Sequence, residues 1–170
     1  MTQYIDMTHI PECIGLIAEN GERIVLTGVT VNAMPLSVQR KEADLYADFA
    51  EKYGIYFLFE DEIPEIDFYA VPRLDIAARD EAGGFIASVG ESFSLSDSVP
   101  LVYISRDRRC YLITEDSQTF LSSVSGWKEN LKPCDAVTLF TSKEQAGKVY
   151  QIIDFEKTQT YRNFRKENLP

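Results

Sequence analysis

His9 and Cys13 stand four residues apart. On a helix that spacing puts both side chains on one face, where an imidazole can draw the proton from a thiol and leave a nucleophilic thiolate. Pro11 lies between them and sets His9 outside a helix or at its edge, and no partner carboxylate is indicated, so a packed thiol is the stronger reading. His9 is the only histidine, which removes the commonest general base and the commonest zinc ligand from the rest of the chain. The run Glu60-Asp61-Glu62-Ile63-Pro64-Glu65-Ile66-Asp67 places five carboxylates in eight residues. A hard cation is a conceivable guest, but the run lacks the alternating acid and amide ligands and the loop glycine of a calcium-binding EF-hand. A solvated acidic loop is the better account. Acid and base carboxylate pairs of the glycosidase kind are defined by separation in space, so a small enzyme with such a pair in a pocket stays open as the alternative.

Two further clusters invite a chemical reading. Asp80-Glu81-Ala82-Gly83-Gly84 has neither the lysine and hydroxyl of a P-loop nor the spacing of a dinucleotide fingerprint, and reads as a glycine turn between strands. Arg106, Arg108 and Arg109, interleaved with Asp107, form the sharpest basic cluster. It is too small for a nucleic-acid surface on a chain of net charge −10. Hairpin-tip charges that protect a sheet edge explain it better, with salt bridging to the acidic loop as a second account. The sequence therefore assigns no catalytic residue, no metal ligand and no cofactor, and points to binding.

The bulk numbers agree with that direction. With 170 residues, 45% of them apolar, the chain can form one compact domain over residues 1–156, followed by a basic tail at 157–170 that the sequence leaves free to be flexible. Cys13, Cys110 and Cys134 are odd in number and widely spaced, which argues for buried thiols and against a disulfide framework or zinc cage. No secretory leader and no apolar stretch of the ~20 residues that span a bilayer is evident, so a soluble cytoplasmic protein without membrane or nucleic-acid partners is expected. Charge is unevenly placed. Residues 1–100 hold 18 acids and 6 bases, residues 101–170 hold 9 acids and 11 bases, and Lys157, Arg162, Arg165 and Lys166 crowd the end. Such a field favours basic partners, unless it serves solubility alone.

The elements that position these groups follow from local signals. A helix is expected over Pro11–Asn20, a strand over Arg23–Thr27, and a helix from a Ser37 cap to Tyr53, its apolar stripe Leu45, Phe49 and Tyr53 ending at Gly54. Ile55–Phe59 is apolar on both faces and reads as a central strand. Short strands at Phe68–Val71, Leu74–Ala78 and Phe85–Val89 follow, then the hairpin Leu101–Ile104 with Cys110–Ile113. A helix capped by Asp116 or Ser117 carries Phe120, Leu121 and Val124, with Trp127 docking behind it. A last helix, capped at Thr141 or Ser142, buries Val149, Ile152 and Ile153.

The helix ending Tyr53-Gly54, the acidic Glu60–Asp67 segment, Asp80-x-x-Gly83-Gly84-Phe85, the strand Val102-Tyr103-Ile104 and Phe120-Leu121 together resemble, in pattern and order, the SUKH superfamily of bacterial immunity proteins and fungal cell-wall regulators. The resemblance covers about half of the chain and implies a single α+β domain, with a twisted, mainly antiparallel sheet flanked by helices. It also implies a non-enzymatic surface that docks a protein partner, most often a toxin to be neutralised. A carboxylate-rich face suits a basic toxin. The candidate contacts are Glu60, Asp61, Glu62, Glu65, Asp67, Asp80 and Glu81.

Overall fold

The structure, a computed structural model, describes residues 1–8 and 21–168. The expected helix over Pro11–Asn20 and the His9–Cys13 pair lie outside the described residues. Strands β1 (Thr2–Asp6) and β2 (Arg23–Thr27) run parallel, in register from Thr2 opposite Arg23 to Asp6 opposite Thr27. After Gly28 the chain enters β3 (Val29–Val31) and leaves the small sheet for a larger one.

The helix expected over Ser37–Tyr53 forms as two, α1 (Leu36–Lys41) and α2 (Ala43–Tyr53), broken at Glu42, whose ψ of 32° departs from helical geometry. Ser37 is not the cap. Pro35 flanks the start, and the free Leu36 N–H donates to the Glu60 carboxylate at 3.1 Å. α2 ends at Gly54 as its sequence predicts, with φ at 64° and its N–H reaching Ala50 O at 3.0 Å. Of the expected stripe only Phe49 is buried, and Leu45 is 49% exposed.

Ile55–Phe59 is not a central strand. It contributes only β4 (Tyr56–Phe57), which pairs with Ala78 and Arg79 on an edge whose other half, Leu74–Ile76, already carries β3. Both of its faces are apolar because both are covered: Ile55 and Phe57 pack with Phe49 beneath α2, and Leu58 enters the opposite core. The acidic loop then leads to β5 (Tyr69–Val71) and β6 (Leu74–Arg79).

β6, β7 (Phe85–Val89), β8 (Leu101–Ile104) and β9 (Cys110–Thr114) form the expected antiparallel meander, with Arg79 opposite Phe85 and Ile104 opposite Cys110 across the two turns. β10 (Lys132–Pro133) extends it on β9, so the sheet runs β10-β9-β8-β7-β6-β3 with β4 beside β6. Alternation sends Phe85, Ala87, Val102 and Ile104 to one core and Ile86, Leu101 and Tyr103 to the other. A bulge between Ile76 and Ala78 breaks this period on β6, so Ile76 serves the first core and Ala78 the second. The second core is closed by α3 (Phe120–Ser123) and by Trp127, whose Nε1–H donates to Tyr53 O at 2.9 Å.

The last part of the chain departs most from expectation. β11 (Thr138–Phe140) pairs with β5, and α4 (Lys143–Ala146) is a single turn, capped by Ser142 Oγ accepting from Gln145 N–H at 3.2 Å. Val149 is 66% exposed, and Ile152 and Ile153 belong to β12 (Ile152–Asp154), which lies parallel to β1. The basic end is helical as α5 (Gln159–Asn168), with Tyr161 edge-on to buried Phe155 at 5.4 Å between ring centres. The fold is α+β with mixed, mostly antiparallel sheets. Arg73 N–H to Leu26 O at 2.7 Å and Gly28 N–H to Ala70 O at 2.8 Å stitch the small sheet to the rest. No helix among the described residues is long and apolar enough to cross a membrane.

Candidate docking surface

Pro64 and the density of like charge keep residues 60–67 out of any strand, and the structure holds them as an exposed loop. Its ends are fastened. Besides the Glu60 carboxylate on α1, Glu60 N–H donates to Met34 O at 3.0 Å, and Asp67 meets Arg108 at 2.7 Å. Arg108 is the member of the arginine cluster that salt-bridges to the acidic loop, and its guanidinium lies 5.0 and 5.5 Å from the ring centres of Phe68 and Phe85. Glu62 pairs with Arg79 at 2.9 Å, and Glu81 accepts from the Tyr56 hydroxyl at 2.7 Å. That hydrogen bond to a carboxylate raises the Tyr56 pKa. Asp61 and Glu65 are exposed and make no ion pair or side-chain hydrogen bond among the described residues.

Asp80 does not belong with them. Its side chain is fully buried and accepts from Gly84 N–H at 2.7 Å, from the Tyr103 hydroxyl at 2.7 Å and from Lys128 Nζ at 2.8 Å. Burial pushes its pKa up, but the Lys128, Tyr103 and Gly84 bonds more than offset this, and the net shift is downward. Gly84 is required because a Cβ there would overlap the Tyr103 ring and hydroxyl. The Asp80–Gly84 signature is thus a buried clasp, and of its acids only Glu81 faces solvent.

Beside the loop lies a groove that the sequence did not reveal. It has a volume of about 370 Å³ and is walled by Leu45, Tyr46 and Phe49 of α2, by Met34 and Phe57, and by Phe93 and Leu95 of the loop before β8, with Leu121 at the mouth. Among the described residues, no charged side chain lines it. Leu45 and Leu121 are 49% and 54% exposed, so the second core is incompletely covered here. The available signal was Phe93 and Leu95, two large apolar residues inside the serine-rich stretch Gly90–Ser98. Beneath the groove, buried Asp75 accepts from Thr30 Oγ1 at 2.7 Å, Asn32 Nδ2 at 3.3 Å and Phe93 N–H at 2.6 Å, which pins the groove wall. A wider concavity of about 790 Å³ runs beside β9 and β10, edged by Glu115, Asp116, Glu129 and Lys132.

The densest charge network lies elsewhere, at the carboxyl ends of the parallel strands. Lys143 Nζ bridges Asp6 at 2.8 Å and Asp154 at 2.6 Å, while Asp6 also accepts from Thr8 Oγ1 at 2.7 Å and from the Tyr69 hydroxyl at 2.9 Å. For Asp6, burial acts upward, and its bonds to Lys143, Thr8 and Tyr69 carry the pKa down overall; for Asp154, Lys143 and Lys157 lower it to about 2. The half-buried Asp6 and the buried Asp75 and Asp80 are each held by donors of the fold, and none lines either concavity. No protein-family model, curated protein or solved structure matches the chain.

Proposed function

We propose that the protein is a non-enzymatic binding module that grips a basic protein partner through the loop Glu60–Asp67 and Glu81. In the immunity role implied by the SUKH resemblance, the partner is a basic toxin whose cationic cleft this face occupies. One observation carries the reading. The loop is fastened from behind by Glu60 and Asp67, while Asp61 and Glu65 stand exposed and unpaired among the described residues. A loop already held in place loses less conformational freedom on docking, and unpaired carboxylates supply the field that steers a cationic partner.

Asp61→Lys with Glu65→Lys tests this cleanly, because neither side chain supports the fold. The double variant should keep its urea midpoint. Its association with products of neighbouring genes, first identified by pull-down and then timed by stopped flow, should slow about tenfold or more at low salt, with a weaker dependence on ionic strength. An unchanged association rate and salt dependence would remove this loop as the contact site.

A further inference from the structure

We infer that the groove between α2 and the Phe93–Leu95 segment seats a bulky apolar side chain projecting from a basic segment of the protein partner. The inference rests on the binding role proposed above and adds the chemistry of the segment that is bound. The groove wall is apolar, with Asn32 and Ser94 its polar members, and its volume of about 370 Å³ sits at the lower end of the roughly 300–1,000 Å³ of clefts that hold compact ligands. An anchor side chain there would cover Leu45 and Leu121, whose exposure leaves apolar surface in water.

Charge selects which segment can bring that anchor. Residues 42–67 carry nine carboxylates and a single base, Lys52, which is drawn to Asp48 at 3.3 Å. Two of the nine adjoin the groove directly: Glu42 accepts from the hydroxyl of groove-lining Tyr46 at 3.3 Å, and Glu60 is hydrogen-bonded through its backbone to groove-lining Met34. An acidic segment would meet these acids head-on, and a neutral one would gain nothing from them. A second copy of the chain fails on the same ground, since a two-fold contact across the groove would bring two sets of the same carboxylates together on chains of net charge −10. Lysine or arginine flanking a leucine, phenylalanine or tryptophan satisfies both the floor and the rim.

The test uses the full chain and three fluorescein-labelled synthetic peptides. The first places lysine and leucine at helical spacing, the second replaces every leucine by serine, and the third replaces every lysine by glutamate. Anisotropy gives affinity, and amide chemical shifts give location. The lysine–leucine peptide should bind and shift Met34, Phe49, Phe57 and Leu95, and the lysine–serine peptide should bind at least about tenfold more weakly, as expected for one lost apolar anchor. Leu45→Lys with Leu121→Lys, which changes two exposed positions, should impose a similar loss with the urea midpoint kept.

If the lysine–serine peptide binds as tightly as the first, or the leucine variants change nothing, the groove is unused and the inference falls while the acidic-loop reading stands. If the glutamate–leucine peptide binds as well as the lysine peptide, the groove ignores charge, and the basic partner is lost from both. Affinity of the lysine–leucine peptide weaker than about 1 mM, or a dimer in sedimentation that the leucine variants abolish, also overturns the inference.

Discussion

Replacing Asp80 removes the acceptor on which the β6–β7 turn, β8 and the segment after α3 converge, and the cost can be worked from its three bonds. Gly84 N–H and the Tyr103 hydroxyl are buried donors at 2.7 Å, and in Asp80→Ala both lose a charged acceptor without gaining water. Hydrogen bonds to charged groups contribute about 1.5–3 kcal/mol each, so these two together are worth about 3–6 kcal/mol. The Lys128 side chain is 47% exposed, and its pair adds little because solvent screens it. Against a typical total of about 5–15 kcal/mol, that loss is large. Asp80→Asn keeps one acceptor oxygen and turns an amide toward a donor, so it should cost about 1–3 kcal/mol and stay folded. Urea unfolding followed by tryptophan fluorescence reads the change well, since Trp127 lies edge-on to Tyr103 at 5.3 Å between ring centres. Combining Asp80→Asn with Tyr103→Phe should be less costly than the two singles added, by about 0.5 kcal/mol or more, because they break the same bond. If Asp80→Asn lies within about 0.5 kcal/mol of the parent and the pair adds, the clasp is not a stabilising element.

Acid should act on the same clasp and on the Lys143 network. Asp6, Asp80 and Asp154 all have folded pKa values below the usual aspartate value of 3.8, so the stability they contribute is present above the ordinary carboxylate range and is lost as pH falls through the lowered values. The urea midpoint should therefore drop between about pH 4 and pH 2, and Lys143→Met should flatten the part owed to Asp6 and Asp154 while leaving that of Asp80. A midpoint independent of pH in this window would refute both networks. Cys110 should resist alkylation by iodoacetamide at neutral pH, since burial, then the neighbouring Cys134, raises its thiol pKa; rapid labelling mapped to Cys110 by mass spectrometry would contradict this.

What was legible in the sequence is what neighbours in the chain decide. The turns Asp80–Gly84 and Ser105–Arg109 join strands only a few residues apart, and Gly54 ends α2 by its own backbone geometry. The misreadings share the opposite property. Ile152 and Ile153 match a helical stripe with Val149, yet parallel pairing with Tyr4–Asp6, remote in sequence, makes them a strand. Ile55–Phe59 carries the composition of a central strand, but the edge it meets is half occupied by β3. Among the candidate contacts, Asp80 looks solvated beside Glu81 and becomes buried only because Tyr103 and Lys128 arrive from other elements. The groove escaped notice for the same reason: α2, the Phe93–Leu95 loop and Leu121 form no continuous pattern, and Leu45 reads as core until the neighbouring walls are in place.

The pairing of β1 with β12 has an outcome for how the molecule is made. Ribosomal synthesis releases residues 2–6 long before residues 152–154, so for most of translation Asp6 has neither Lys143 nor Asp154 nearby, and β1 has only β2 beside it. The meander from β6 to β9 can assemble meanwhile from short-range contacts. This corner is then the last to close, and in the finished protein the first place where local opening should let amide hydrogens exchange while the large sheet stays intact.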